Sequence, residues 1–304
     1  MIDLLSVIIP TYNPDPDRLA QTLFGLRKQS LAKDRWELLI VDNNSTNDFA
    51  TAIDLSWHSR ARIINEAKQG LTYARVKGFS AASGQVIVMV DDDNVLNEGY
   101  LQTTLAIFNQ YPLLGAAGGK SLPVFEHPPP QWLELFYSCL ALRDLGDAIV
   151  LDGWQDKYPA CAPIGAGMAV RKKALATYLA KITSASQVIT DRDGKSLGSG
   201  GDNDIVLEIL KSGWQTGYFP ALKLVHLIPE ERVSAGYLAR LNRDSSRSWV
   251  RLLESHHINP WRKIPEWSVP FRKIKAWLTY KAWINDANYI KWHGACGIYE
   301  GLAE

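Results

Sequence analysis

Cysteine and long apolar runs are both scarce in this sequence, and each scarcity excludes a class of protein. The 304 residues include three cysteines, Cys139, Cys161 and Cys296, and no Cys-x-x-Cys pair. A small, odd and scattered set supplies neither a disulfide framework nor a zinc site, and it is typical of a reducing compartment. No segment approaches the roughly 20 apolar residues of a membrane-spanning helix. The apolar run at residues 4–9 lacks the length and the basic start of a secretion signal, so we expect a cytoplasmic protein.

A charge imbalance and a dinucleotide-binding fingerprint are absent too. The net charge is +1, whereas a dedicated nucleic-acid-binding protein needs a strong basic excess. We therefore expect no nucleic-acid partner. Pro10–Asn13 follows the first apolar run, at the place where a dehydrogenase would have Gly-x-Gly-x-x-Gly. The apolar fraction of 46% is nevertheless sufficient for a substantial core.

Apolar strands and helical patterns alternate over the first 120 residues. We predict strands at residues 5–9, 36–41, 62–65 and 85–90. We predict helices that begin near Asp15–Asp17 and others at 48–59, 71–82 and 100–111. This alternation implies crossover connections, and hence an α/β fold with a mainly parallel sheet.

The pattern changes after about residue 120. Pro128–Pro130 begins an irregular, aromatic-rich stretch, and Gly165–Arg171 is a glycine-containing loop that runs into a short strand. Residues 182–204 are polar, and the predictions there are a hairpin turn at 191–194 and a flexible stretch at 198–201. A helix at 205–211 and a strand at 218–227 should follow. We predict three parts, comprising residues 1–120, 121–230 and 231–304.

Three consecutive carboxylates follow the predicted strand at 85–90. Asp91, Asp92 and Asp93 repel one another unless a cation or a set of hydrogen-bond donors satisfies them. Open α/β sheets bind ligands at the carboxyl ends of their strands, and a Mg²⁺-type ion takes carboxylate and phosphate oxygens together. Considered alone, the triplet fits either a divalent cation that holds a phosphorylated ligand or a solvated acidic turn.

Six short motifs occur in order along residues 5–230. They are Ser6–Asn13, Val41–Thr46, Gln69–Arg75, Val90–Asp93, Gly165–Arg171 and Gly201–Ile205, and His226 follows them. Each motif is weak alone, but together they resemble those of the family 2 glycosyltransferases. The resemblance implies the GT-A fold, in which residues 1–120 would bind the nucleotide sugar and residues 121–230 the acceptor, with a helical C-terminal extension at 231–304.

The resemblance also implies an activity. It predicts a metal-dependent, inverting glycosyltransferase that moves a sugar from a nucleotide diphosphate donor, with a UDP-sugar as the expected donor. The acceptor would be a saccharide or a lipid-linked, polyprenyl-type molecule, in polysaccharide or glycoconjugate synthesis.

A divalent metal, Mn²⁺ or Mg²⁺, would neutralise the diphosphate leaving group in such an enzyme. By resemblance, Asp91 would lie near the ribose and the metal, and Asp93 would bind the metal directly, with Asp92 in support. His226 would complete the metal shell, although a lone histidine at a strand end also fits a satisfied structural role.

Further nucleotide-sugar contacts are implied in the N-terminal half. Besides Asp91 and Asp92, the expected contacts are Pro10, Thr11, Tyr12, Asn13, Asp42 and Arg75. Asp42, expected at the base, fits a helix N-cap equally well. Arg75, expected to face the diphosphate, fits a solvated helix residue as the alternative.

An acceptor hydroxyl must lose a proton as it attacks the anomeric carbon, which requires a general base. In the family this base is the aspartate of a Glu-Asp pair that starts a helix, and the resemblance favours Asp202 over Asp204. Gly201 stands where the family usually has glutamate, and Val76 stands where many members have asparagine. The residues expected in the acceptor and donor loop are Gly165, Ala166, Gly167 and Asp204.

The segment at 261–292 combines tryptophan with basic residues. It contains five of the chain's 11 tryptophans, and seven Lys or Arg against two acids. Such a mixture is typical of a helix that lies in a membrane interface, and contact with the inner membrane face would suit a lipid-linked acceptor. The alternative is a helical extension that packs its aromatic side chains on the catalytic domain and exposes its charges to water.

Two other functions compete with sugar transfer. A sugar nucleotidyltransferase also uses a nucleotide-binding α/β sheet, but it needs a Gly-rich loop bearing Lys or Arg where Pro10–Asn13 stands. A non-catalytic, sugar-nucleotide-binding scaffold subunit would not need both the metal acids and the base.

Overall fold

Parallel strands form one side of the sheet in this computed structural model, which describes residues 2–184 and 200–304. The strands of the described residues are β1 (Leu5–Thr11), β2 (Trp36–Asp42), β3 (Ala61–Asn65), β4 (Val86–Met89), β5 (Asn94–Leu96), β6 (Leu114–Phe125), β7 (Val150–Asp152), β8 (Ala169–Arg171) and β9 (Gln215–Ile228). Their order in the sheet is β3-β2-β1-β4-β8-β6-β9-β5, and β7 also pairs with β9. β3, β2, β1 and β4 are parallel, whereas β8 and β5 pair antiparallel with their neighbours.

The helices follow from local sequence signals. They are α1 (Pro16–Arg27), α2 (Phe49–Ala52), α3 (Leu71–Ala81), α4 (Tyr100–Gln110), α5 (Ala176–Ser184), α6 (Gly201–Lys211), α7 (Ala235–Ser255), α8 (Val269–Tyr280) and α9 (Asp286–Ala303). α1 begins as predicted, since the Asp15 side chain accepts a hydrogen bond from the Arg18 backbone N–H and Pro16 occupies the first turn. None of the helices in the described ranges is long and apolar enough to cross a bilayer.

The described residues form two units. One holds the sheet and comprises residues 2–124, 142–184 and 202–227; the other comprises 125–141, 200–201 and 228–304. In the second unit α9 packs along α7, and a Cβ added to Gly297 of α9 would lie 2.0 Å from the backbone oxygen of Arg243 in α7. Glycine therefore permits the close approach of these two helices. The division at residue 120 between donor and acceptor halves stays a prediction.

The α/β prediction is confirmed, and the predicted strands and helices before residue 120 are present, with one correction. The predicted helix at 48–59 ends after Ala52, because Asp54 forms hydrogen bonds with residues that follow it instead of continuing the helix. Its carboxylate accepts from the Ser56 backbone N–H at 2.8 Å, and its carbonyl accepts from the Trp57 indole at 3.0 Å. Such local bonds compete with the helical ladder.

The expected C-terminal extension at 231–304 is helical, but the segment at 261–292 is not one continuous helix. α8 ends before Lys281, which has φ at 50°, and α9 begins at Asp286. The predicted hairpin turn at 191–194 and the first part of the flexible stretch at 198–201 lie outside the described residues.

Glu37 joins the strands that lead to the candidate site. Its carboxylate, in β2, accepts hydrogen bonds from the Ser6 hydroxyl in β1 at 2.6 Å and from the Ser83 backbone N–H before β4. Arg62 of β3 donates to it at 3.0 Å. Burial opposes ionisation, but the hydrogen bonds and the arginine outweigh burial, so the pKa of Glu37 lies below its ordinary value of 4.5.

A depressed pKa in the folded state stabilises the protein above the unfolded-state pKa, and this contribution disappears as the pH falls through the folded-state pKa. We expect Glu37→Gln to lower the free energy of unfolding at pH 7 by roughly 1–3 kcal/mol, and the gap to wild type to narrow below about pH 4. Urea unfolding at pH 7 and pH 3.5 measures both effects. The exposed Glu134→Gln is the control, and an equal loss at both pH values would contradict the role of ionised Glu37.

Candidate active site

The carboxyl ends of β1, β2 and β4 lie at one edge of the sheet. Thr11, the last residue of β1, is paired in register with Asp42, the last residue of β2. β4 runs parallel to β1 and ends at Met89, so the aspartate triplet leaves the sheet at the same edge. The parallel register therefore brings Thr11, Asp42 and the aspartate triplet to the same edge.

Side chains link the loops that follow β1 and β2. The Asn13 amide oxygen accepts from the backbone N–H of Thr46 at 2.7 Å, and the Asn13 N–H donates to the Ser45 hydroxyl at 2.9 Å. Asp42 accepts from the Ser45 backbone N–H at 2.9 Å. The Asp42 carboxylate thus caps a turn, whereas α2 begins later, after Asp48. Pro10 is buried in β1 and Tyr12 is exposed at its end.

Asn43 is a positioning residue that the motifs did not single out. Its side-chain amide donates to the carbonyls of Glu66 and Lys68, and its oxygen accepts from the Gly70 backbone N–H at 2.7 Å. It therefore fixes the loop that precedes α3, the helix on which Arg75 lies. Burial of a short amide directly after a strand-end aspartate cannot be recognised from sequence.

Each member of the aspartate triplet has a different environment. The Asp91 carbonyl accepts from the Asn94 backbone N–H in a turn. Asp92 accepts a hydrogen bond from the Thr11 hydroxyl, which ties the triplet to β1. Asp93 is buried, and its carboxylate accepts from the Asn94 side-chain amide at 2.9 Å. A solvated acidic turn does not describe Asp93.

His226 is brought to Asp93 by strand pairing. β5 pairs antiparallel with β9 so that Asn94 lies opposite His226, and the Leu227 backbone N–H donates to the Asp93 carbonyl at 2.9 Å. The His226 Nε2 lies 3.3 Å from Asp93 Oδ2, and both side chains are buried. In the described part of the chain, His226 Nδ1 is buried without a hydrogen-bond partner. A fully satisfied structural histidine would have partners on both nitrogens.

Asp93 and His226 fit a divalent cation. Carboxylate oxygen and imidazole nitrogen are both ligands for such ions, and adjacent ligands of an octahedral ion with bonds of ~2.1 Å lie ~3.0 Å apart. The separation of 3.3 Å between the two ligand atoms is close to that spacing. Asp91, which is partly exposed two residues earlier, stays a predicted third ligand.

The loop before β8 reaches the same edge because β8 runs antiparallel to β4. The Met89 backbone N–H donates to the Met168 carbonyl at 2.9 Å. The Tyr100 hydroxyl, from the start of α4, donates to the Gly167 carbonyl at 2.6 Å. Burial raises the pKa of Tyr100, so its hydroxyl stays protonated and can donate this hydrogen bond. Gly167 has φ at 72°, a conformation that glycine adopts without strain.

Asp202 and Arg75 converge on Gly165. The Gly165 backbone N–H donates to Asp202 Oδ2 at 2.8 Å. A Cβ added to Gly165 would lie 3.0 Å from an Arg75 guanidinium nitrogen and 3.2 Å from Asp202 Oδ2. Arg75 is buried, 5% exposed, so it is not a solvated helix residue. An acid at the start of α6 and a cation from α3 thus flank one glycine, beside the buried Ala166.

Asp204 has a different environment from Asp202. Its side chain is buried, and its Oδ1 accepts from the Lys181 ammonium of α5 at 2.6 Å, while Glu208 accepts from the same ammonium at 2.9 Å. Burial alone would lower the pKa of Lys181, but the two carboxylates outweigh burial and raise it. Asp204 therefore joins α6 to α5, which distinguishes it chemically from Asp202 on the same helix.

Tyr158 is a second neighbour that the motifs missed. Its hydroxyl donates to the side-chain oxygen of Asn203 at 2.6 Å, next to Asp202. Burial, together with the negative charge of Asp202, raises the pKa of Tyr158. The phenol is therefore neutral at physiological pH. No sequence signal distinguishes Tyr158 from the other aromatic residues of its irregular stretch.

Comparisons with known proteins show what this chain is similar to. The family model "Glycosyl transferase family 2" matches residues 6–168, which is more than half of the chain. A validoxylamine A glucosyltransferase from Streptomyces hygroscopicus subsp. limoneus is 34% identical over 156 residues, covering 48% of this chain and 34% of that protein. An N-acetylglucosaminyltransferase from Bradyrhizobium diazoefficiens is 24% identical over 280 residues, covering 88% of this chain and 52% of that protein.

The fold itself has a solved counterpart. The structure of S. aureus TarS residues 1–349 in complex with UDP matches with a TM-score of 0.53 and 14% identity, covering 99% of this chain and 90% of that one. This likeness confirms the predicted α/β architecture of the GT-A type. The chain spans about a third to a half of the length of the two curated relatives named above. The matched family model and the motifs at the sheet edge lead to one conclusion: the chain belongs to glycosyl transferase family 2.

Proposed function

We propose that this protein is a metal-dependent, inverting glycosyltransferase that transfers a sugar from a UDP-sugar to a saccharide or lipid-linked acceptor. The observation that carries the proposal is the meeting of Asp202 and Arg75 at Gly165, at the sheet edge where Asp93 and His226 lie. A base, a cation for a diphosphate and a pair of metal ligands are the groups that such a transfer needs.

The donor would bind across the carboxyl ends of β1, β2 and β4. Pro10, Thr11, Tyr12 and Asn13 would contact the nucleotide from β1 and its loop, and Asp42 would hydrogen-bond the base while its other oxygen holds the turn. Arg75 would pair with the diphosphate. The uridine nucleotide bound to TarS supports testing uridine first.

Asp93 and His226 would hold the metal, with Asp91 as a further ligand and Asp92 in support through Thr11. When bound, the cation would neutralise the diphosphate as the bond to the anomeric carbon breaks. The chain's own contribution is to keep the two ligands buried and fixed by the β5–β9 pairing, so that ligand geometry does not depend on a mobile side chain.

Asp202 would act on the acceptor. Its carboxylate takes the proton from the acceptor hydroxyl, the hydroxyl oxygen forms the new bond to the anomeric carbon, and the nucleoside diphosphate leaves with the electrons of the broken bond. The Gly165 backbone N–H and the Asn203 N–H hold the carboxylate by hydrogen bonds. These bonds orient the base before the acceptor arrives.

The two acids of α6 provide a paired test of this assignment. Asp202→Asn removes the base but keeps the shape, so we expect kcat to fall by about 10²–10⁴-fold with little change in the melting temperature. Asp204→Asn weakens the pairing with Lys181, so we expect a lower melting temperature and nearly normal kcat per folded molecule. Donor turnover with purified variants and thermal unfolding measure both. The assignment is wrong if Asp204→Asn loses transfer and Asp202→Asn keeps it.

Metal binding is tested through UDP affinity rather than turnover. We expect Mn²⁺ to raise the affinity of wild-type protein for UDP, and Asp93→Asn and His226→Gln each to reduce this gain by about 10–100-fold. Titration calorimetry with Mn²⁺ or with EDTA measures the gain. The control is Asp34→Asn, at an exposed position that precedes β2 and is therefore at the opposite end of that strand from Asp42. An equal gain in all four proteins would contradict the ligand assignment.

Gly165→Ala tests the spacing between the cation and the base. The added Cβ would require the ends of the Arg75 and Asp202 side chains to move by a few tenths of an ångström. A displacement of about 1 Å at a reacting group lowers kcat by about 10²-fold, so we expect this smaller one to lower kcat by roughly 3–10-fold. The change in stability should be small because the contacts are with side-chain ends. Gly153→Ala, whose Cβ would meet no atom within 4 Å, is the matched control. Full activity of Gly165→Ala would show that this spacing is unimportant.

A further inference from the structure

The outer face of α8 exposes a row of large apolar side chains. Trp267, in the turn before the helix, is 73% exposed, and Phe271, Ile274 and Leu278 are 60–67% exposed. At about 100° per residue, Phe271, Ile274 and Leu278 fall within an arc of ~60° on the helix surface. We call these four residues the α8 ridge. A contiguous exposed apolar patch on a protein marks a site of interaction with a protein or a membrane.

The ridge is not the core face of α8, because the opposite face is already packed. Val269 and Ala276 are buried. Trp277 meets Trp292 of α9 edge to face at 4.7 Å between ring centroids, and the Trp292 indole N–H donates to the Lys273 carbonyl at 3.0 Å. The helix therefore has one face that is packed against the protein and one apolar face that is exposed to solvent.

Basic residues outnumber acidic ones in the segment that carries the ridge. From 261 to 284 the chain has six Lys or Arg and one acid, Glu266. Lys273 is engaged by Glu300 of α9, and Lys263 lies 3.9 Å from Glu254. Lys263 is exposed, as are Arg262, Arg272, Lys275 and Lys281. A partner that covers the ridge must meet this positive rim.

We propose that the α8 ridge and its basic rim dock on an anionic lipid bilayer, with α8 lying in the interface. Apolar side chains of an amphipathic helix insert between headgroups while Lys and Arg pair with anionic lipids. Tryptophan is favoured at that depth, and both Trp267 and Trp283, 57% exposed beyond the end of α8, are available for it. A second copy of the chain would instead bring two positive rims together, which like-charge repulsion opposes.

The ridge is suited to binding at a membrane surface and not to spanning the membrane. α8 has 12 residues and is ~18 Å long, whereas the hydrocarbon core is ~30 Å thick. The docking is independent of sugar transfer, because it requires none of the residues at the sheet edge. The docking proposal can therefore be tested separately from the proposed activity.

Vesicle flotation of the full chain tests the proposal. We expect the wild-type protein to float with vesicles of phosphatidylcholine and phosphatidylglycerol, and to bind pure phosphatidylcholine at least tenfold more weakly. Replacing the ridge residues in Phe271→Ser/Ile274→Ser should weaken binding to anionic vesicles by roughly tenfold or more. Reversing the rim in Arg272→Glu/Lys275→Glu should do the same and should weaken the dependence on salt.

The matched control is Phe24→Ser/Leu113→Ser, which removes two apolar side chains that are 57% and 61% exposed in the sheet unit. All variants change exposed positions, and thermal unfolding verifies that they fold. Binding that is equal for both vesicle types, or equal in wild type and ridge variant, overturns the proposal. So does sedimentation velocity that shows the wild type self-associating through the ridge without binding vesicles, since the occupant would then be a second copy.

Discussion

The hydrogen-bonded pairing of β5 with β9 brings together the ends of two segments that are far apart in sequence. β5 has only three residues, and it begins one residue after Asp93. Opposite it, β9 is 14 residues long and buried along most of its length, so it presents His226 on a rigid element. The Asp93 carbonyl is itself bonded to the backbone beside His226. The position of the candidate metal ligands is thus determined by main-chain geometry, which few single side-chain changes can disturb.

Much of the parallel half of the fold could be predicted from sequence. The aliphatic runs and the polar residues that end them located β1, β2 and β4, and parallel register then placed Thr11, Asp42 and the aspartate triplet at one edge. The order of the motifs was sufficient for the family. The length of α2 was not predictable, because the bonds of Asp54 to its neighbours decide where that helix ends.

The differences between chemically identical residues also had to come from the structure. Asp202 and Asp204 are two residues apart on one helix, yet one faces a backbone N–H and the other a partly exposed lysine. The tryptophans of the C-terminal segment divide in the same way, since Trp277 packs inward and Trp267 is exposed. Composition indicated a mixed aromatic and basic segment, but only the two faces of α8 in the structure separate its packed side chains from its exposed ones.

β8 runs antiparallel to β4, and this direction affects where the chain can accept insertions. An antiparallel strand delivers to the edge the residues that precede it, so the loop at Gly165–Met168 is held at its far end by β8, Tyr100 and the backbone of Met89. In the connection from Gly153 to Ile164, the Tyr158 hydroxyl and the carbonyls of Ala160 and Ala162 are hydrogen-bonded, whereas residues 155–157 are exposed. Doubling the length of such a connection costs about 0.6 kcal/mol in closure entropy. Insertions at residues 155–157 would reshape the surface beside Asp202 while leaving the carboxyl ends of β1, β2 and β4 unchanged.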